Sequence, residues 1–121
     1  MAVRFHQLAV DTHDLPKLAR FWSAVLDWKV LSEDDEEIAI GAEGTGAPRI
    51  SFLAVPEGKV VKNRLHIDLD PDDQAAEVER ILGLGARRVV VGQGEDATWV
   101  VLADPEGNEF CVLRPRGPRN G

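Results

Sequence analysis

Residues 104–113 read DPEGNEFCVL. A polar turn, Asp104-Pro105-Glu106-Gly107-Asn108, leads into an apolar run that encloses Cys111, the single cysteine of the chain. Pro and Gly within five residues mark a tight reversal, and the alternation that follows suits a strand. A run of the same character, RISFLAVP at 49–56, closes the first half of the sequence. The correspondence extends outward from this pair. FHQL at 5–8 matches LHID at 65–68, and the helix exit VLDWKV at 25–30 matches LGLGARRV at 82–89. The order β-α-β-β-β therefore occurs twice. Two copies are too few for a solenoid, so the pattern predicts an internal duplication and an α+β fold in which two sheets complete each other.

The periodicities locate the elements. A first strand is expected over 3–10, with Leu8 and Val10 on one face and Phe5, Gln7 and Ala9 on the other. Asp14 is placed to cap a helix that carries Pro16 in its first turn, where a missing N–H is harmless. Leu15, Leu18, Trp22 and Val25 form its apolar stripe, and it ends near Asp27. Strands are expected over 28–32, 37–40 and 49–55, and Pro56-Glu57-Gly58-Lys59 reads as a linker. The second half repeats this with a strand over 64–69, a helix over 73–84 built on Val78, Ile81 and Leu82, and strands over 86–91, 98–103 and 109–114. RPRGPRNG at 114–121 reads as a frayed tail. One domain, 1–121, with modules 3–56 and 62–115, accounts for the whole chain.

Composition bounds the function. The chain has 121 residues, 44% of them apolar and 29% charged, which is a globular balance. A formal charge of −7 disfavours nucleic acid and anionic membranes as partners. A lone cysteine suits a reducing compartment, and the opening MAVRFHQLAV is too short and too charged for a signal peptide. The expected location is cytoplasmic. The acidic run Glu33 to Glu37 lacks the spaced ligands and central Gly of a calcium loop and reads as a solvated hairpin.

With its paired βαβββ halves, its DPEGN turn before the last strand and His66 in KNRLHIDL, the sequence resembles the vicinal oxygen chelate superfamily. This is the group of glyoxalases, bleomycin-resistance proteins and extradiol dioxygenases. FW in the first helix and WVVLADPEGNEFCVL are similar to its glyoxalase-like subgroup, and the resemblance spans residues 3–115. It implies an eight-stranded half-barrel with a ligand on its concave face. It also implies four metal positions, one on the first and one on the last strand of each half, which fall here on Phe5, Ser51, His66 and Cys111. Only His66 has the usual residue type.

Three readings of that departure stay open. His66 and Cys111, with Asp68 on the same strand face, offer nitrogen, sulfur and oxygen donors of the kind zinc accepts. Alternatively, Cys111 is a small buried hydrophobe and His66 a hydrogen-bonded pocket residue. Finally, a His66–Cys111 pair would lower the thiol pKa and create a nucleophile. The register of the first strand matters as well, since a one-residue slip exchanges Phe5 for His6, while His13 lies in the following turn.

The expected function is binding of a small aromatic or amphipathic organic molecule, without metal or other cofactor, in a pocket lined by Phe5, Gln7, Ser51, His66, Asp68, Trp99 and Cys111. No catalytic residue is assigned. The alternative is a metal-dependent lyase, isomerase or dioxygenase. Trp22 is expected in the core and Trp28 in the core or at an interface, while Trp99 is expected to stack on a flat ligand. Proteins of the resembled family commonly pair about a two-fold axis, so a homodimer is expected. Sedimentation at micromolar concentration should show twice the chain mass of 13.3 kDa. A species at the chain mass alone would refute the dimer.

Overall fold

A computed structural model of the chain describes residues 5–42, 44, 48–89 and 98–115. The chain divides into two compact units, Met1–Lys59 and Val60–Gly121. The first contains strand β1 (Gln7–Thr12), helix α1 (Leu15–Leu26), and strands β2 (Lys29–Glu33), β3 (Glu37–Gly41) and β4 (Arg49–Ala54). The second contains β5 (Asp68–Leu69), helix α2 (Gln74–Gly83), β6 (Arg87–Arg88), β7 (Val100–Ala103) and β8 (Glu109–Val112). Strand order is β1-β4-β3-β2 in one sheet and β5-β8-β7-β6 in the other, the same permutation twice. Each unit is thus a βαβββ module whose first and last strands lie side by side in parallel. The duplicated α+β architecture expected from the repeat is present. Among the described residues no helix is long and apolar enough to cross a membrane.

In the first unit the apolar stripe of α1, Leu15, Leu18, Phe21, Trp22 and Val25, is buried. It packs on the sheet side that carries Ile38, Ile40, Ile50 and Phe52, all buried. Asp14 caps the helix by accepting from the Lys17 amide, and Thr12 Oγ1 in turn accepts from the Asp14 amide at 3.0 Å. Such a cap contributes about 0.5–2 kcal/mol. The helix ends where Asp27 adopts the left-handed conformation, φ 55°. Trp22 is in the core, and Trp28 is half-buried. The acidic run forms the β2–β3 turn, in which Asp34 Oδ1 accepts from the amides of Glu36 and Glu37.

In the second unit Leu102, Phe110 and Val112 point to the helix side and are fully buried, with Val78 and Ile81 of α2 buried above them. Arg88, opposite Leu102 on that side, pairs with Glu79 of α2 at 3.4 Å. The opposite side of the sheet, here the open face, follows from the pairings. Asp68, Cys111 and Val101 form one row across β5, β8 and β7. Glu109 and Ala103 form the next, and His66, two residues before Asp68, lies at that row's β5 end.

The turn at 104–108 sets this register. Asp104 is buried, and its Oδ1 accepts from the amides of Glu106 and Asn108, both at 2.9 Å, while Oδ2 accepts from Asn108 Nδ2 at 3.0 Å. Gly107 takes φ 91°, which a side chain rarely tolerates.

Several element bounds differ from expectation. β1 runs over 7–12 instead of 3–10; Val3 and Arg4 lie outside the described residues. Asp11 and Thr12 extend the strand because their pairings with Leu53 and Ala54 continue and Thr12 is buried. β5 shrinks from 64–69 to two residues, since Arg64 and Leu65 are exposed and have no ladder partner on β8. β6 is confined to 87–88, though Val89 still donates to the Val101 carbonyl. Val90 and Val91, and most of the tail, 116–121, lie outside the described residues. β4 and β8 stop one and two residues early, although Val55 and Leu113 still donate to the Thr12 and Leu69 carbonyls. Asp104→Ala would leave two part-buried amides without their acceptor and should destabilise the protein by about 1–3 kcal/mol in urea titration. Asp104→Asn, which retains an acceptor oxygen, should lose less. Equal loss from both would refute the acceptor role.

Candidate functional site

The open face of the second module brings His66, Asp68 and Cys111 together. The His66 Nδ1 lies 2.8 Å from Asp68 Oδ1, and the Cys111 Sγ lies 4.0 Å from the same Nδ1. The strand pairing explains this. Asp68 and His66 alternate onto one face, and Cys111 is the direct Cα partner of Asp68. The expectation that His66 stands across from Cys111 is therefore corrected by one row. His66 reaches the thiol diagonally, over the carboxylate.

Both members of the dyad remain accessible, with side chains 51% and 47% exposed, whereas Cys111 is 8% exposed and sits among Val101 and Ala103. A carboxylate can only accept, so Nδ1 carries the proton of the neutral ring and Nε2 keeps its lone pair. With the ring neutral, the dyad thus presents a hydrogen-bond acceptor beside the small apolar side chains of the same face. Trp99, 42% exposed, lies at a bend two positions before Val101, just outside β7 and not within a strand as expected.

In the first module Gln7 is half-buried, and its side-chain oxygen accepts from Arg49 Nε at 3.0 Å. Ser51 is fully buried and donates its hydroxyl to Glu37. Phe5 precedes β1 and is 68% exposed. Ala9 pairs with Ser51 as Asp68 pairs with Cys111. By this register the residue equivalent to His66 is Gln7, not Phe5. His6 and His13 are both exposed. Glu37 belongs by sequence both to the acidic run and to the strand expected over 37–40, and only the β3–β4 pairing brings it beside Ser51. Asn63 and Glu109 were likewise not singled out. Their contact joins an irregular segment to β8, and no local pattern signals it.

The donor chemistry bears on the metal that the family resemblance implies. The ligand atoms of His66, Asp68 and Cys111 lie within 4.8 Å of one another. Ligands on one tetrahedral zinc, with bonds of about 2.0–2.3 Å, stand about 3.3–3.8 Å apart. The 2.8 Å contact is instead a hydrogen bond, and it occupies Nδ1. In the other module the Gln7 oxygen and Ser51 hydroxyl are committed to Arg49 and Glu37. As arranged, these residues form hydrogen-bonded pairs; a metal held by this module would meet His66 at Nε2, Asp68 and Cys111.

Burial pushes the Cys111 thiol above its ordinary value of 9.0, and the Asp68 carboxylate beside it adds to the rise through its charge and a hydrogen bond. This reverses the expectation of a lowered thiol pKa: burial dominates, and the carboxylate beside the thiol acts in the same direction. The folded state holds the thiol proton to higher pH than the unfolded chain does. Once pH passes the unfolded thiol's value the unfolded state binds fewer protons, and stability falls with rising pH. Urea midpoints at pH 7.5 and 10 should therefore show the parent losing stability relative to Cys111→Ala. A relative gain by the parent would refute the raised thiol.

The sequence matches the family model of the glyoxalase-like domain over residues 7–113. A search of curated proteins finds no match. Among solved structures, the chain resembles a glyoxalase/bleomycin resistance protein/dioxygenase family enzyme from Burkholderia phytofirmans, with 18% identity and TM-score 0.72 over 93% of this chain and 98% of that one. TnmS3, an antibiotic binding protein from a Streptomyces species, aligns at 17% identity and TM-score 0.66 over 95% and 98%. A bleomycin resistance determinant encoded on transposon Tn5 aligns at 14% identity and TM-score 0.61 over 95% and 100%. At these identities the structural likeness speaks for the fold alone. With the family model covering nearly the whole chain and the βαβββ module present twice, the protein belongs to the glyoxalase-like domain family.

Proposed function

We propose that the protein binds a small, partly aromatic or amphipathic organic molecule without metal, and that the open face of the second module contributes the recognition. The observation that carries this reading is the 2.8 Å His66–Asp68 hydrogen bond beside the buried, protonated Cys111. It leaves His66 Nε2 as an oriented acceptor for a ligand hydroxyl or N–H. Val101, Ala103 and Cys111 supply an apolar floor, and Trp99 supplies an exposed ring for stacking. A nucleophilic cysteine is disfavoured, because chemistry of that kind needs a thiolate. The reading is in keeping with antibiotic binding by TnmS3 and with the bleomycin resistance determinant among the structural neighbours. Phe5, Gln7 and Ser51 enter it only through the family resemblance. A cytoplasmic location is part of the same proposal, supported by the single cysteine of the chain.

A panel of aromatic and amphipathic metabolites, followed by tryptophan fluorescence in the presence of a chelator, tests the proposal. Hits should bind the parent with or without chelator. Trp99→Ala should weaken binding by about 1–3 kcal/mol, the range for a stacked aromatic anchor. His66→Ala should weaken it too, while Cys111→Ser should have a small effect. Hits that bind Trp99→Ala as tightly as the parent would refute the placement. About one zinc, nickel or iron per chain in protein purified without chelator, lost in His66→Ala, would overturn the metal-free reading in favour of a metal-dependent lyase, isomerase or dioxygenase.

A further inference from the structure

His66 does not belong to a regular strand. β5 begins at Asp68, and the residues before it form an irregular segment whose apolar side chains Val60, Val61 and Leu65 are 92%, 75% and 81% exposed. Burial of these side chains therefore does not anchor the segment. Polar contacts to β8 hold it instead. The Asn63 amide donates to Glu109 Oε1 at 3.0 Å, and Asn63 Nδ2 donates to the Glu109 carbonyl at 3.3 Å. Four residues later the Ile67 carbonyl accepts from the Cys111 amide at 2.9 Å. His66 lies between these two attachments.

We propose that Asn63 and Glu109 form a clamp that positions His66, so that its imidazole meets Asp68 and keeps Nε2 as the acceptor. Both clamp residues are positioning residues, and neither touches the ligand in this account. The geometry supports this in two ways. Glu109 is two residues from Cys111 on β8, and Cys111 is the partner of Asp68, so the clamp and the dyad share one register. The clamp is also bidentate, engaging both the backbone and the side chain of Asn63, which restrains the direction of the segment as well as its distance from β8. A half-exposed imidazole on an untethered segment would exchange freely between tautomers. The inference rests on the proposed binding role, which requires Nε2 as acceptor, but its test needs no ligand.

The test is a long-range proton–nitrogen spectrum of the histidine rings in 15N-labelled protein, recorded with the rings neutral and with His66 assigned by His66→Gln. In the parent, His66 should show a protonated Nδ1 and an unprotonated Nε2. Glu109→Ala should shift both nitrogens toward the averaged pattern of two exchanging tautomers. Asn63→Ala, which keeps the backbone donor, should do so partially, and Glu109→Gln, which keeps the acceptor oxygen, should retain the parent pattern. Folding of each variant is checked by its amide spectrum. A parent-like His66 in folded Glu109→Ala overturns the clamp, as does a Glu109→Gln spectrum shifted as far as that of Glu109→Ala. If Glu109→Ala does not fold, Asn63→Ala decides alone, and an unchanged His66 pattern overturns the proposal. A clamp-dependent tautomer in a protein that binds nothing in the metabolite panel would refute the binding role and leave the clamp standing.

Discussion

The buried carboxylate of Asp104 is the constraint on which the second module depends. By accepting from two turn amides and from the Asn108 side chain, it closes the β7–β8 hairpin in one register. That register sets Leu102 against Phe110 on the helix side and Val101 against Cys111 on the open side. β8 is a central strand, so the same register passes to β5, where it selects Asp68 as the partner of Cys111. A slip of one residue would turn Phe110 and Val112 outward and the thiol inward, at a cost of several kcal/mol in lost apolar burial.

That pairing adds to what burial does at the site. Burial is the larger cause of the raised thiol pKa, and the paired Asp68 carboxylate raises it further, where an imidazolium in its place would act in the opposite direction. The same carboxylate orients the imidazole, so one side chain adds to the effect of burial on the cysteine and positions the histidine. In the first module the corresponding face is organised differently. Arg49 donates to Gln7 and Ser51 donates to Glu37, so that face carries hydrogen-bonded polar pairs. Two copies of one backbone plan have thus acquired distinct surface chemistry.

Membership of the glyoxalase-like domain family accounts for the architecture more than for the chemistry. The strand permutation and the turn before β8 are shared features of a scaffold, and a scaffold does not dictate what is bound on it. The specific content lies in the side chains on the open faces. Here these are a histidine oriented by a neighbouring acid, a protonated thiol, small apolar residues and an exposed indole.

The duplication, the two helices, the Asp14 cap, the buried stripe of α1 and the DPEGN turn were all legible in the sequence. Each arises from local chemistry, namely side-chain periodicity, a side chain accepting from an amide two to four residues on, or a glycine free to adopt positive φ. Alternation within a strand likewise placed His66 and Asp68 on one face. It left undetermined how one strand is phased against the next, because that is set by hydrogen bonds between residues some 40 positions apart. The tertiary structure therefore decided that Gln7 rather than Phe5 matches His66, that Asp68 rather than His66 opposes Cys111, and that Glu37 meets Ser51. It also decided the direction of the thiol's pKa shift, which follows first from burial of Cys111 and then from the Asp68 carboxylate that the register sets beside it.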